Sequence, residues 1–221
     1  MLTALVLIFM GSAAYAGFRE GVFTSFCMLV NVFLAGLLAF NFFEPMSDAL
    51  EGVFKGTDLL GYEDFLCLAA VFIVALILLR ILANNFANRF IDFPAKAQQF
   101  GGGAVGLLTG YCLAGFFLCT LETLPWQESF LDFPTGTEAE ASLRGVWPPD
   151  RAWLSLMRFA GAYSFSAKER DPLADSRYDR FETFDRWGTF ELRYQRYRRY
   201  GEGRPPFPYQ GELDDALGGK R

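Results

Sequence analysis

The chain has 221 residues, 52% of them hydrophobic, with 25 phenylalanines and a formal net charge of −5. It contains no histidine, which excludes a Ser-His-Asp or Cys-His catalytic unit, His-ligated zinc and HExxH metalloprotease chemistry within this chain. The acidic balance gives no reason to expect nucleic-acid binding.

The averages conceal a sharp division. Residues 1–124 are mostly apolar and carry 5 Lys/Arg and 9 Asp/Glu, whereas residues 125–221 carry 15 and 16. The division predicts an all-α membrane domain of about four transmembrane helices over 1–124. A polar, partly disordered, extramembrane tail with one or two short helices is predicted over 125–221.

The first apolar run is Met1 to Phe18. At ~1.5 Å per residue it barely reaches across a ~30 Å hydrocarbon core. Ala14-Tyr15-Ala16 resembles a signal-peptide cleavage site, but no Lys or Arg precedes the run, so a retained helix is expected. The second run, Val22 to Phe43, follows after only Phe18-Arg19-Glu20-Gly21, and the two are expected to form an antiparallel hairpin. Arg19 and Glu20 would anchor that turn, by binding lipid phosphate, capping a helix end or fixing the topology. The third run is Phe65 to about Phe86, interrupted by Arg80, and the fourth is Gly101 to Leu124, with Glu122 near its end. Runs of about 20 apolar residues exceed ordinary core helices, and in lipid only a helix satisfies its own backbone polar groups.

Loop charges suggest an orientation. Arg19 lies between the first two runs, and Arg89 and Lys96, with Arg80, flank the third loop. The 44–64 loop instead carries six acidic residues against Lys55. Basic residues near short loops mark the cytoplasmic side, so both termini and the tail are expected outside the cytoplasm.

In the tail, Pro149-Asp150 opens a predicted helix to about Tyr163. Trp153, Leu156, Met157, Ala160 and Tyr163 recur on one face, which could pack on the membrane surface or on the bundle. The section 176–200 is dense in Arg, Tyr and Phe. Such a segment could stack on single-stranded nucleic acid, but Glu182, Asp185 and Glu191 interrupt it. Anionic lipid, an envelope protein or polymer fits better, and a solvated, partly helical tail is the plainer reading. The last twenty residues read as disordered.

Small residues recur at four-residue spacing: Gly102, Gly106, Gly110 and Ala114 in the fourth run, and Ala13, Gly17 and Gly21 at the end of the first. Such ladders let helix backbones approach closely in lipid. They could serve packing within the unit, a subunit interface or a pore-lining face. Asn31, Arg80 and Glu122 are the polar residues deepest in apolar runs and are candidates for an intramembrane role. Asn31 would make an interhelical hydrogen bond. Arg80 and Glu122 lie at opposite depths, so Arg80 is expected to snorkel to cytoplasmic headgroups and Glu122 to reach outside water. Cys27, Cys67, Cys112 and Cys119 have no CxxC spacing and read as small packing residues. No catalytic set, cofactor motif or metal-ligand spacing emerges. Gly101-Gly102-Gly103 lacks the GK[ST] of a phosphate loop.

Three segments in order resemble the colicin V production (CvpA) family: Gly17-Phe18-Arg19-Glu20-Gly21-Val22-Phe23, Phe42-Phe43-Glu44-Pro45, and the glycine-rich 100–110. The chain departs from the family where Thr109 and Ala97-Gln98-Gln99 replace frequent basic or Asp-Arg residues. Some relatives carry a serine protease domain, which the absence of histidine rules out here. The resemblance implies a bacterial inner-membrane protein linked to production or secretion of a peptide toxin. The expected partners are the lipid bilayer, further copies of the chain, and an envelope component for the tail. The alternative is an oligomeric channel or transporter component.

Overall fold

The computed structural model describes residues 2–54, 61–86, 94–126, 147–166, 169, 171–181, 183–185 and 188–201. Among these, α1 spans Leu2–Glu20, α2 Val22–Phe54, α3 Glu63–Phe86 and α4 Ala95–Glu122. The tail contributes α5 (Pro149–Ala162), a short α6 (Arg177–Arg180) and α7 (Phe190–Gly201). The first four are long and apolar enough to cross a membrane.

Helices α2 and α4 outrun their apolar stretches. The sequence places a loop from Glu44 and a helix start at Gly101, yet α2 continues through Pro45 to Phe54, and α4 begins at Ala95. A helix needs apolar side chains only where it meets lipid or core. Beyond that, helix-favouring residues such as Ala95, Lys96 and Gln98 extend it.

Between α1 and α2 the turn is a single residue. Gly21 has φ +92°, a conformation that suits glycine. Its N–H still donates to Gly17 O at 2.9 Å, and Ser25 N–H donates to Gly21 O at 3.1 Å, so the chain reverses with its hydrogen bonding intact.

The expected α1/α2 hairpin is a minor contact. α1 lies chiefly along α4, α4 along α2, and α2 along α3, in the order α1–α4–α2–α3. Glycine is the reason. A Cβ at Gly102 would strike the Gly17 carbonyl, one at Gly106 the Ala13 carbonyl, and one at Gly110 the backbone of Phe9 and Met10. Backbone-to-backbone approach at this spacing draws α1 away from its sequence neighbour.

The larger core is aromatic. Phe40, Phe43, Phe72 and Phe116 from α2, α3 and α4 meet Trp153 of α5 and Phe190 of α7. Phe72 and Phe116 stack with ring centroids 3.7 Å apart. Trp153, fully buried, fills a notch between Gly36 of α2 and Gly115 of α4, where a Cβ at either glycine would collide with its ring or Cβ.

The tail face also needs correction. Trp153, Met157 and Ala160 are buried against the bundle, but Leu156 and Tyr163 are exposed. Leu154 is buried in their place, in the core cluster that also holds Phe190 and Tyr194 of α7. The last twenty residues lie outside the described residues.

Candidate functional site

Three places bring the singled-out residues together. The first is the α1/α4 seam, where Gly102, Gly106, Gly110 and Ala114 meet α1. Gly17, Ala13 and Gly21 supply the opposing backbone. Leu2 and Val6 seal the seam beside Ala114 and Leu118.

The second is a cleft of about 310 Å³ at the Glu20 end of the bundle. Ser12, Ser25, Thr109, Met28, Glu20 and Arg80 are among its lining residues. Each hydroxyl donates to a carbonyl one turn back along its own chain: Ser12 to Phe9 at 3.0 Å, Ser25 to the turn residue Gly21 at 2.8 Å and Thr109 to Val105 at 2.9 Å. Their lone pairs remain as acceptors. At the mouth, Arg80 lies 3.8 Å from Glu20, with both side chains about half exposed, and donates to Met28 Sδ. A pair so exposed contributes about 0–1 kcal/mol, and serves better as a polar rim than as a clamp. Arg19 sits over the Tyr15 ring, 6.0 Å from its centroid. Asn31 is buried in α2.

The third place is the opposite, acidic end, where α2, α3 and α4 present Glu44, Glu63, Asp64 and Glu122. Helix α7 packs over this end with Phe190, Tyr194 and Arg198, four residues apart on one face and all buried. Tyr194 donates to Asp64 at 2.7 Å, Arg193 to Glu44 at 2.9 Å and Arg198 to the Glu122 carbonyl at 3.2 Å. Asp64 also accepts from Ser47. Glu63 accepts from the Gly61 N–H at 2.6 Å.

Glu122 therefore does not reach open water as expected from the sequence; it is 2% exposed beneath α7. Its carboxylate oxygen lies within 4.8 Å of those of Asp150 and Glu191. This is the one carboxylate group among the described residues compact enough to hold a metal ion. Arg151, which donates to Glu191 at 3.3 Å, and Arg198 supply positive charge beside it. Arg80 and Glu122 stand at opposite ends of the bundle, each with its own neighbours.

The electrostatics at this end follow from burial. Burial pushes the Tyr194 hydroxyl well up, and the Asp64 carboxylate that it donates to adds to the rise. Burial pulls Arg193 the other way, but Tyr194 and Glu44 more than offset it and the guanidinium stays charged. Asp185 leads into α7, accepting from the Thr189 and Phe190 N–H groups at 2.7 and 3.1 Å. Burial raises its carboxyl above the ordinary range, against those two bonds, Arg193 and Arg158.

Reading the tail as a dense Arg/Tyr run missed this face. Counting in fours from Phe190 would have isolated Phe190, Tyr194 and Arg198. The notch for Trp153 has no comparable signal, because Gly36 and Gly115 lie in separate runs. No disulfide joins the four cysteines; Cys67 and Cys119 are buried and Cys27 and Cys112 partly so.

Four apolar helices, in contact through small residues and rings, define a multi-pass, all-α membrane protein. A family model described as colicin V production protein matches residues 2–138, more than half of the chain and all four spans. The chain belongs to that family, which is not known as a family of enzymes. No curated protein and no solved structure matches it.

Proposed function

We propose that this chain is a non-enzymatic inner-membrane protein that supports production or export of a secreted peptide toxin, or envelope function more widely, as an oligomer. The observation that carries the reading is the family match across all four spans. The small-residue ladder is occupied by α1, so a second copy would meet another surface. α3 offers one, with Ile73, Val74, Ile77, Leu78, Ile81 and Leu82 exposed along its length. The acidic end and the tail would face outside, since Arg19 and Arg80 mark the other end as cytoplasmic.

The test is toxin release from a host that makes a peptide of this class, with and without the chain. Loss of extracellular toxin at unchanged intracellular level is expected. Unchanged release in its absence would remove the reading. Dual reporters fused after Leu124 and Arg221 read the orientation, and both are expected outside.

The cleft favours a second reading, a channel or transporter component. Ser12, Ser25 and Thr109 would line a polar path in an assembly, with Arg80 and Glu20 at its mouth. Solute flux in reconstituted vesicles separates the two, and no flux at any applied potential would eliminate the channel.

A further inference from the structure

We propose that the tail is itself a lipid-binding element: one side of α5, with the aromatic residues flanking it, lies in the bilayer. It would reach from the headgroup–acyl boundary of the leaflet on the Glu44 side into the hydrocarbon.

Depth carries the argument. Glu44 of α2 and Glu122 of α4 mark the polar end of the bundle. Phe33 lies three turns below Glu44 and Tyr111 three turns below Glu122, about 16 Å along each helix. Both fall inside the membrane-crossing helices. The tail reaches that level on both: Phe165 packs on Phe33 with ring centroids 6.4 Å apart, and Trp147 on Tyr111 at 5.3 Å. Tyr111 also donates to the Trp147 carbonyl at 3.3 Å. Trp153 fills its notch between these points and the acidic end. A segment seated there flanks the part of α2 and α4 that meets lipid.

The sides of α5 match this position. One side, Trp153, Met157 and Ala160, is buried in the bundle. A second, Arg151, Leu154, Ser155 and Arg158, faces α7 across a polar pocket with Asp185 and Glu191. The third, Leu156, Phe159 and Tyr163, is exposed, Phe159 by 50%. Phe165 and Trp147, at either end, are 55% and 69% exposed. With α7 on the polar side, the exposed apolar side turns away from the acidic end, toward the hydrocarbon.

The cations beside this strip suit its rim. Arg158 stacks over Tyr178 at 4.2 Å, and Arg177 over Tyr163 at 4.7 Å, while Arg177 also donates to the Ala162 carbonyl. Aromatic rings with guanidiniums beside them fit the interface of a bilayer containing anionic lipid. A water-facing strip would leave the same rings solvated without compensation.

The test is tryptophan quenching in the full chain, reconstituted in vesicles of phosphatidylglycerol and chain-brominated phosphatidylcholine. Trp126, Trp147 and Trp187 are replaced by Phe, leaving buried Trp153 as background. Phe159→Trp then adds one probe on the strip, and Arg151→Trp one on the α7 side, beside Glu191. Brominated lipid is expected to quench the Phe159→Trp signal roughly two-fold, as for a group ~5–10 Å into the interface, with iodide having little effect. The Arg151→Trp signal should show the reverse. Iodide quenching of Phe159→Trp equal to that of Arg151→Trp would overturn the proposal. So would protection from both quenchers, which would mean that a second copy covers the strip. Should Phe159→Trp fail to fold, Tyr163→Trp reads the same strip with the same outcomes. None of these results depends on toxin export.

Discussion

The two sides of α4 are packed by opposite means. Along one side, Gly102, Gly106 and Gly110 bring the α1 backbone into direct contact, with no side chain between. Along the other, Gly115 opens a notch that an entire indole fills, and the contact spreads through Phe116, Phe40 and Phe190. Both sides depend on glycine, yet in one it removes bulk so that backbones meet, and in the other it makes room for bulk from elsewhere. The difference follows the partner. A lipid-embedded helix gains from close backbone approach because lipid supplies no hydrophobic drive between helices. A tail helix with Arg151 and Arg158 on one of its other faces attaches through one large apolar anchor.

The sharpest way to break the comparison is Gly106→Leu. The branched side chain has only the Ala13 carbonyl and Ala14 backbone before it, so α1 must separate from α4. Yield of folded, monodisperse protein in detergent should fall nearly to nothing. Gly11→Leu, where nothing lies within 4 Å, should leave it unchanged.

Trp153→Ala attacks the other side of α4. Removing a fully buried large aromatic side chain costs about 3–5 kcal/mol. The tail should detach while the four spans stay assembled, so limited proteolysis should cut within 147–201 much faster and leave the bundle fragment intact. Simultaneous loss of the bundle would show that the two sides are one cooperative unit.

Tyr194→Phe is milder. It removes the bond to Asp64 and leaves that buried end less satisfied, for about 1–2 kcal/mol. The same proteolysis should show a smaller increase in tail cleavage.

Asp185 gives the smallest effect, visible as a pH dependence. Its carboxyl is raised by burial, so folding of the tail favours the protonated form. The cost of the charge is absent below the ordinary carboxylate range, near about 4, and appears as pH rises through the shifted value. Relative to Asp185→Asn, which keeps a side-chain oxygen to accept from Thr189 and Phe190, the native tail should gain stability as pH falls from 7 toward 4. A pH-independent difference between the two would show that the four opposing sources of stabilisation, the two backbone bonds, Arg193 and Arg158, cancel the burial cost.

How far the sequence carried this structure differs between elements. The four spans are legible because apolar length is a property of each run alone, and the family resemblance rested on residues inside them. Glu122 is the instructive miss. From sequence it sits at a helix end beside an acidic stretch, which suggests water, yet Arg198, 76 residues later, returns to its carbonyl. Nothing local to Glu122 encodes that return.

By itself, the sequence determined where the chain can enter a membrane, where it becomes polar, and which helices have small residues to lend to a contact. These are sums over neighbouring residues, and the bilayer reads them locally. Only the tertiary structure decided that α1 lies on α4 rather than on α2, that Gly36 and Gly115 form one notch, and that an Arg/Tyr helix closes the acidic end. Each of those depends on surfaces from distant segments fitting together, and shape complementarity between segments is not carried by either segment alone.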